Sequence, residues 1–350
     1  MQENIEKITK EMVATSEKLL KGYQMLSEIE DVDLATAEKE LVFQVDKLRL
    51  FRYVSEKRTC KVPLLMVYAL VNRFEMLDLQ PDRSFVRNML NAGIDVYVID
   101  WGYPTKQDRY LTMHDYINGY IGDCVDYIRK THKIPKVNLL GICQGGTFST
   151  IFSALHPNKV QTLTTLVAPF DFDTEDGLLF KWSRSLDVDK VVDCNDGLVP
   201  GEFLNMGFDM LKPLSKVKKF NSLPDMMTDK AKLMNFLRME KWVADSPSQA
   251  GECYRQFIKD LYQNNKLIKG ELIIDGEKVN LKNITMPVLN IYASDDHLVP
   301  PSATKPLNEH VGTKDKELYE FPGGHIGVFV GNRSQKELAP KVANFIKDRA

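Results

Sequence analysis

The chain has 350 residues, a formal net charge of −2 and the composition of an ordinary globular protein. It is long enough to bury a large core in one or two domains. The near-neutral charge and the lack of a Lys/Arg block argue against nucleic acid as a partner. No apolar run approaches the length of a membrane span, so we expect no transmembrane segment.

The cysteines and the N-terminus indicate the compartment. The first residues are polar and acidic and lack the apolar core of a secretory signal peptide. The cysteines are odd in number, far apart and without a CxxC pair, so the sequence predicts neither a disulfide framework nor a metal site. We expect a cytoplasmic protein, in which a thiol stays reduced. The five are Cys60, Cys124, Cys143, Cys194 and Cys253.

Residues 2 to about 30 have the pattern of an amphipathic helix. Apolar residues recur three or four positions apart, with charged residues between them. The pattern favours a helix that packs on its own domain. The alternative interpretation is a helix that docks a partner subunit.

From about residue 41, predicted strands alternate with predicted helices. This alternation is typical of a parallel sheet covered by helices on both faces. The predicted strands are 47–53, 63–69, 96–101, 137–142, 162–167, 288–293 and 317–321. The predicted helices are 84–92, 114–131, about 147–155 and about 335–347.

The alternation stops between about residues 171 and 281. This segment is rich in Met, Phe, Trp and Lys and is too long for a loop. It predicts helices and loops, with a short hairpin near 272–279 in which Asp275-Gly276 forms the turn. We interpret it as a cap inserted over the strand ends. The alternative is additional core structure that has no role in access to a site.

The segment Gly-Ile-Cys-Gln-Gly-Gly, at 141–146, lies between the predicted strand 137–142 and a helix. A strand, a sharp turn flanked by glycines and a helix form the setting of a nucleophile elbow, here with Cys143 in place of the usual Ser. A buried core cysteine at the end of a strand is the alternative. Because only a small fraction of a thiol with a pKa near ~8.5 is ionised at neutral pH, a nucleophilic Cys143 needs an imidazole and a carboxylate beside it.

Two later segments supply such partners in the chain order of a hydrolase triad. Asp295 and Asp296 directly follow the predicted strand 288–293, and either could be the acid or merely a turn residue. His325 follows the last predicted strand in a Gly-rich loop, where a base would lie. His297 directly follows the acid pair, so we give it a supporting role.

The same motifs predict an oxyanion hole and a fold. The backbone N–H of Gln144 and, as a choice within one or two residues, that of Val71 would donate to the oxyanion. The fold class is α/β, an α/β-hydrolase fold with a mostly parallel central sheet. We divide the chain into an N-terminal helical segment (1–40), a hydrolase core (41–172 and 282–350) and a cap or lid insertion (173–281).

Six segments together resemble the catalytic subunit of a polyhydroxyalkanoate synthase, most closely the short class III type and less closely class IV. The resemblance extends over the whole chain. The segments are VYALVNR (67–73), IDWGYP (99–104), LLGICQGG (139–146), NFLRMEKW (235–242), DHLVPP (296–301) and GGHIG (323–327).

The resemblance implies a function and a partner. Cys143 would carry the acyl group, His325 would be the base and Asp296 the third member of the triad. The family polymerises (R)-3-hydroxyacyl-CoA, chiefly 3-hydroxybutyryl-CoA, with release of CoA. It acts with a non-catalytic accessory subunit of the PhaE type on the surface of polyester granules. We therefore expect a homo- or hetero-oligomer, a cytoplasmic granule location, no metal, and no cofactor beyond the coenzyme A that the substrate carries.

Two points stay open in the sequence. During elongation, either His325 or Asp296 could accept the proton of the attacking hydroxyl group. A polyester or thioester hydrolase could use the same triad, and a non-catalytic granule-binding protein could share the fold. The Cys nucleophile favours acyl transfer, because a thioester on sulfur stays activated for the next transfer.

Overall fold

The computed structural model describes residues 2–350, without the side chains of residues 2, 3 and 215–217. Up to residue 166 the chain forms a long helix, the first strands of the main sheet and three shorter helices. In chain order these are α1 (Gln2–Ser27), β1 (Glu40–Val45), β2 (Leu48–Tyr53), β3 (Leu64–Val67), β4 (Asp78–Gln80), β5 (Arg83–Ser84), α2 (Phe85–Asn91), β6 (Val96–Asp100), α3 (Gly122–His132), β7 (Val137–Ile142), α4 (Gln144–Leu155) and β8 (Val160–Leu166).

Between residues 173 and 281 the chain forms short helices and two small two-stranded pairings. They are α5 (Leu178–Arg184), α6 (Val188–Asp193), β9 (Leu198–Val199), α7 (Gly201–Leu211), α8 (Pro213–Met226), α9 (Lys230–Ala244), β10 (Gln249–Ala250), α10 (Gly251–Gln256), α11 (Lys266–Lys269), β11 (Ile273–Ile274) and β12 (Glu277–Lys278). Strand β9 pairs with β10. The predicted hairpin is confirmed, because β11 pairs with β12 across Asp275-Gly276.

The last part of the chain completes the sheet and covers it. Its elements are β13 (Val288–Ala293), α12 (Pro301–Thr304), α13 (Leu307–His310), β14 (Lys316–Phe321), α14 (Gly327–Val330) and α15 (Ala339–Lys347). No helix within residues 2–350 has the length and apolar character needed to cross a membrane.

The main sheet has eight strands in the order β1-β2-β6-β3-β7-β8-β13-β14. From β6 to β14 all neighbours are parallel, whereas β1 and β2 form an antiparallel edge. Strands β3, β6, β7 and β13 are buried along their whole length, since helices cover both faces of the sheet. The carboxyl ends of the parallel strands therefore meet at one edge, where α/β proteins place their sites.

Three helices differ from the sequence prediction at their ends. Helix α4 begins at Gln144, three residues before the predicted start. The predicted helix 114–131 begins as a π-helical turn, Asp115–Ile121, before α3, and α15 is likewise preceded by the π-helical turn Ser334–Leu338. A pattern of apolar spacing does not resolve such a change of pitch.

Helix α1 is observed where the sequence predicts it, but its surroundings differ from the favoured interpretation. Residues 4–17 are all exposed, and the exposed side chains include Ile8, Met12 and Tyr23 at 56%, 66% and 74%. Contacts with the rest of the chain begin near its end, where Lys18 pairs with Asp225 at 2.6 Å. The prediction that this helix packs on its own domain is therefore wrong for residues 4–17.

Glycines permit the close approach of β7, α4 and β3. A Cβ atom on Gly145 would lie 2.3 Å from the carbonyl oxygen of Val67, and one on Gly141 would lie 2.5 Å from the Cα atom of Gly146. Both contacts are with backbone atoms, which cannot rotate away as a side chain can. Glycine at these positions thus sets the distance between the elbow and the end of β3.

The substitution Gly145→Ala should therefore destabilise the fold by about 1–3 kcal/mol or more, because the added methyl group overlaps the backbone of β3. Gly207→Ala in α7 is the matched control, since a Cβ atom there meets nothing within 4 Å. Gly207→Ala should raise the free energy of unfolding by about 0.5–1 kcal/mol, because Ala favours the helical conformation more than Gly does. Urea unfolding measures both, and equal effects of the two substitutions would contradict the close approach.

Candidate active site

Cys143 lies at the sharp turn between β7 and α4. Its backbone has φ 51° and ψ −124°, a conformation in the sparsely populated left-hand region for a residue other than glycine. The turn is held on both sides, because the Cys143 N–H donates to Leu166 O at 2.9 Å and the N–H of Gly146 donates to Cys143 O at 2.9 Å. This is the backbone of a nucleophile elbow, with the side chain at its tip.

The structure distinguishes between the two candidate acids. Asp295 is exposed, whereas the side chain of Asp296 has no exposed surface. One Asp296 oxygen, Oδ1, accepts the N–H groups of Leu298 and Val299, both at 2.9 Å, and the other, Oδ2, contacts Nδ1 of His325 at 2.7 Å. Asp296 is thus the carboxylate that orients the ring, and Asp295 is not.

His325 lies between Asp296 and Cys143. Burial lowers the pKa of the ring, but the Asp296 carboxylate and the Cys143 sulfur outweigh burial and raise the pKa to about 10. A hydrogen bond with the Cys143 side chain contributes to this shift. Since Nδ1 is engaged by Asp296, Nε2 is the nitrogen available to the thiol. The arrangement suits a thiolate–imidazolium pair.

His297 lies near Asp296 and His325, and its pKa is shifted in the opposite direction from that of His325. Its ring is half-buried, and burial together with the positive charge of Lys212 lowers its pKa despite the nearby Asp296. His297 therefore favours the neutral form. The other four histidines lie elsewhere and have partners of their own. His132 contacts Tyr97 Oη at 2.8 Å, His310 contacts Pro306 O at 2.8 Å, and His114 and His156 both contact the Asn118 amide, at 3.2 and 2.9 Å.

The two residues predicted as oxyanion donors, Gln144 and Val71, both border the cavity that contains Cys143. Gln144 is the first residue of α4, so its N–H group has no partner within the helix. Val71 lines the same cavity as Cys143. The neighbouring Leu70 N–H is already used, because it donates to Oε1 of the Gln144 side chain at 3.2 Å. Sequence reasoning missed this bond, through which Gln144 also anchors the loop after β3.

A cavity of about 100 Å³ opens above Cys143. Most of its lining is apolar, and much of that lining comes from residues 173–281. Aromatic contacts join this segment to the core, since Phe257 packs on Phe148 of α4 with ring centroids 5.8 Å apart. The lining residues include Val71, Pro169, Leu179, Leu204, Phe208, Tyr254, Phe257, Ile258, Tyr262 and Val299.

Within the described side chains, no three His, Cys, Asp or Glu residues are grouped as metal ligands. The groups present at this site are the Cys143 thiol, the His325 ring and backbone N–H groups, which are suited to acyl transfer. An acyl group would be attacked by sulfur and its oxyanion bound by N–H groups.

Comparison with known proteins agrees with this geometry. A family model for the alpha/beta hydrolase fold matches residues 62–332, and one for the N-terminus of poly-beta-hydroxybutyrate polymerase (PhaC) matches residues 3–89. The chain is 50% identical over 348 residues to a poly(3-hydroxyalkanoate) polymerase subunit PhaC of Allochromatium vinosum, covering 98% of each chain. The chain belongs to the poly(3-hydroxyalkanoate) polymerase PhaC family.

Further PhaC relatives match over the same length. The subunits from Thiocystis violacea and a Synechocystis strain are 48% and 45% identical, covering 99% of this chain and 98% and 95% of theirs. The resemblance predicted from the six motifs is thus confirmed, and the similar lengths support the short class III type. The match to the family's N-terminal model, residues 3–89, includes nearly all of α1, so this helix belongs to the region that the family shares.

Solved structures confirm the predicted fold class. A monoacylglycerol lipase from Paleococcus ferrophilus superposes with a TM-score of 0.55 at 14% identity, covering 87% of this chain and all of that one. An alpha/beta hydrolase fold protein from Nakamurella multipartita gives 0.53 at 16% identity, covering 89% of this chain and 99% of that one. At these identities the likeness concerns the fold alone.

The raised pKa of His325 predicts a pH dependence of stability. Because the folded pKa of about 10 exceeds the ordinary value of 6.5, the ring's contribution is fully present below pH 6.5. It declines as the pH rises towards 10, since the folded state then holds a proton that the unfolded state has lost. The free energy of unfolding, measured in urea at several pH values, should fall across this window.

The variant Asp296→Asn removes the carboxylate charge that raises the pKa of His325. We expect the free energy of unfolding of this variant to fall less steeply between pH 6.5 and 10. The comparison concerns this slope and not the absolute stability of the variant at any one pH. His132→Gln is the control, because burial lowers the pKa of His132 and the slope in this window should stay as in the unaltered chain. An unchanged slope in Asp296→Asn would contradict the assigned cause.

Proposed function

We propose that this chain polymerises (R)-3-hydroxyacyl-CoA, chiefly 3-hydroxybutyryl-CoA, with Cys143 carrying the acyl group. The observation that carries the proposal is the contact series from Asp296 through His325 to Cys143 below an apolar cavity, in a chain of the PhaC family. The names of the relatives agree with a poly(3-hydroxyalkanoate) product.

Acylation begins when the Cys143 sulfur attacks the thioester carbonyl carbon. The oxyanion forms beside the N–H groups of Gln144 and Val71, which donate to it. The carbon–sulfur bond to CoA then breaks, and the leaving thiolate takes the proton of His325. The product is a thioester of nearly equal energy, so the acyl group remains reactive.

Elongation requires a hydroxyl group to attack the thioester on Cys143. Both oxygens of Asp296 are occupied, one by two backbone N–H groups and the other by His325, and its side chain has no exposed surface. These contacts support His325 as the base that takes the hydroxyl proton. The proton transfer and the release of the Cys143 thiolate would restore the imidazolium–thiolate pair.

The cavity supports a polymerase over a hydrolase. Its apolar lining offers few groups that could bind a water molecule for attack on the thioester. Gln249 is a polar exception, because its amide is almost fully buried and Oε1 has no hydrogen-bond partner among the described residues. The 3-hydroxyl group of a hydroxyacyl chain is a suitable partner for this amide. We propose no cofactor other than the CoA carried by the substrate.

The substitution Cys143→Ala should abolish CoA release from 3-hydroxybutyryl-CoA, and Cys143→Ser should retain far less activity because the hydroxyl needs a stronger base. Cys194→Ala is the control, since Cys194 is an exposed thiol outside the cavity. Thiol release and turbidity are followed together. Formation of polymer together with CoA indicates polymerisation, whereas free hydroxy acid indicates hydrolysis. CoA release by Cys143→Ala would exclude Cys143 as the nucleophile.

We propose that helix α1 docks an accessory subunit of the PhaE type. Its apolar stripe is uncovered over residues 4–17, and it includes Ile5, Ile8 and Met12 at 56–66% exposure. A helix with one apolar face is a common recognition element for another subunit. The resulting hetero-oligomer would work in the cytoplasm at the surface of a polyester granule.

A second set of exposed apolar side chains could contact the polyester granule. It lies on α7 and α8, and α7 also contributes Leu204 and Phe208 to the lining of the cavity. Exposed apolar patches often mark interaction sites. The growing polyester is an apolar partner that would cover it. The set consists of Met206, Met210, Leu214 and Phe220, exposed by 53–69%.

The pair Ile8→Glu and Met12→Glu should prevent co-elution of the chain with a purified PhaE-type subunit in size-exclusion chromatography. Both side chains are exposed, so the free energy of unfolding of the isolated chain should change by less than about 0.5 kcal/mol. Lys10→Glu, on the opposite face of α1, is the control. Continued co-elution of the double variant would refute docking through this stripe.

A further inference from the structure

The loop after β3, residues 70–73, is held from two sides. On the core side the Leu70 N–H donates to the Gln144 side chain at 3.2 Å. On the cap side the Trp242 indole N–H donates to Arg73 O at 2.7 Å, and the Asn72 amide reaches Val243 O at 3.4 Å. Val71, which borders the Cys143 cavity, lies between these attachments.

Arg73, whose carbonyl is the acceptor on the cap side, is buried, and core residues hold its charged side chain. The Arg73 side chain is only 7% exposed, and its guanidinium group pairs with Asp100 and Glu75, each at 3.1 Å. The same group lies over the Tyr103 ring, 4.6 Å from its centroid. A buried guanidinium with two carboxylates and an aromatic face has little freedom to move, so Arg73 is a fixed point for the backbone next to Val71.

Asp245, just beyond the end of α9, completes this attachment. Its carboxylate accepts the Tyr103 hydroxyl at 2.7 and 2.9 Å, and it lies 3.7 Å from Nε of Arg73. That Nε is buried and has no hydrogen-bond partner among the described residues. A few tenths of an ångström of approach by α9 would therefore satisfy a buried donor.

We propose that Trp242 and Asp245 are positioning residues, which couple the docking of α9 to the placement of the Val71 N–H in the oxyanion hole. The inference deepens the proposed function and rests on it. When α9 is docked, the loop is fixed at Leu70, Asn72 and Arg73, which holds Val71 at the edge of the cavity. When α9 moves away, the loop keeps the ion pairs of Arg73 with core residues but loses its hydrogen bonds with Trp242 and Val243, so the Val71 N–H is no longer held in place and the oxyanion loses a donor.

The coupling has a chemical consequence that separates two reactions of Cys143. Acylation by a thioester passes through an oxyanion and needs the donors, whereas alkylation by iodoacetamide forms a carbon–sulfur bond as iodide leaves and creates no oxyanion. Loss of one oxyanion donor typically slows acyl transfer by about 10²–10³-fold. A displaced donor should therefore slow acylation and leave alkylation unchanged.

Two variants test the proposal. Trp242→Phe keeps an aromatic ring and removes the N–H donor to Arg73, and Tyr103→Phe removes the hydroxyl that holds Asp245. Trp182→Phe, at an exposed position of α5, is the matched control. Single-turnover acylation of Cys143 by 3-hydroxybutyryl-CoA and by a p-nitrophenyl ester is followed by mass spectrometry, alongside iodoacetamide alkylation of the same residue.

We expect both variants to lower the saturating acylation rate at least 10-fold with either donor. The half-saturating concentration and the alkylation rate should stay within about twofold of the unaltered chain, as they should in the control. An unchanged acylation rate, or an equal fall in acylation and alkylation, would overturn the proposal.

The two acyl donors distinguish failure of this inference from failure of the proposed function. If the unaltered chain accepts the p-nitrophenyl ester but not the CoA thioester, the polymerase assignment fails. The effect of Tyr103→Phe on the ester reaction still decides the positioning role in that case. Tyr103 is 48% exposed, so its variant keeps the test available if Trp242→Phe does not fold.

Discussion

The close backbone contact between the elbow and the end of β3 is the constraint on which the site depends. Gly145 allows α4 to begin against the carbonyl groups of Val67 and Tyr68, and Cys143 takes a positive φ angle so that the chain can turn there. This approach places Gln144 and Val71 at the cavity that contains Cys143. A side chain at the contact would separate Cys143 from the loop after β3.

The parallel sheet supplies the rest of the site from distant parts of the sequence. Cys143, Asp296 and His325 follow β7, β13 and β14, whose carboxyl ends lie at one edge of the sheet. Asp296 is buried and held by the N–H groups of Leu298 and Val299, so its charge acts on the His325 ring with little screening from solvent. The electrostatics of the triad thus follow from a short turn after one strand.

Sequence patterns predicted the parts of the fold whose signal is local. The bounds 137–142 and 288–293 match β7 and β13, because both are mainly apolar runs, each with a single Asn, between clear breaks. The resemblance in the DHLVPP segment favoured Asp296 over Asp295, whereas the local pattern did not separate the two, because it does not show which side chain is buried. The bond from Trp242 to Arg73 joins positions 169 residues apart and has no local signature. For α1 the favoured interpretation was wrong over residues 4–17, because amphipathic spacing is the same whichever chain covers the helix.

Helix α1 also connects the outer surface of the molecule with α9. Its last turns contact α8 at Gly22 and Lys18, and the segment that follows is tied to α9 by Arg238–Asp33 at 2.5 Å and by the Lys241 ammonium group on Val32 O at 2.5 Å. At 1.5 Å per residue, the 26-residue helix is about 39 Å long. A protein bound to the exposed half of α1 would be far from the Cys143 sulfur. Its binding would nevertheless act on the position of α9, the helix that carries Trp242, through these contacts.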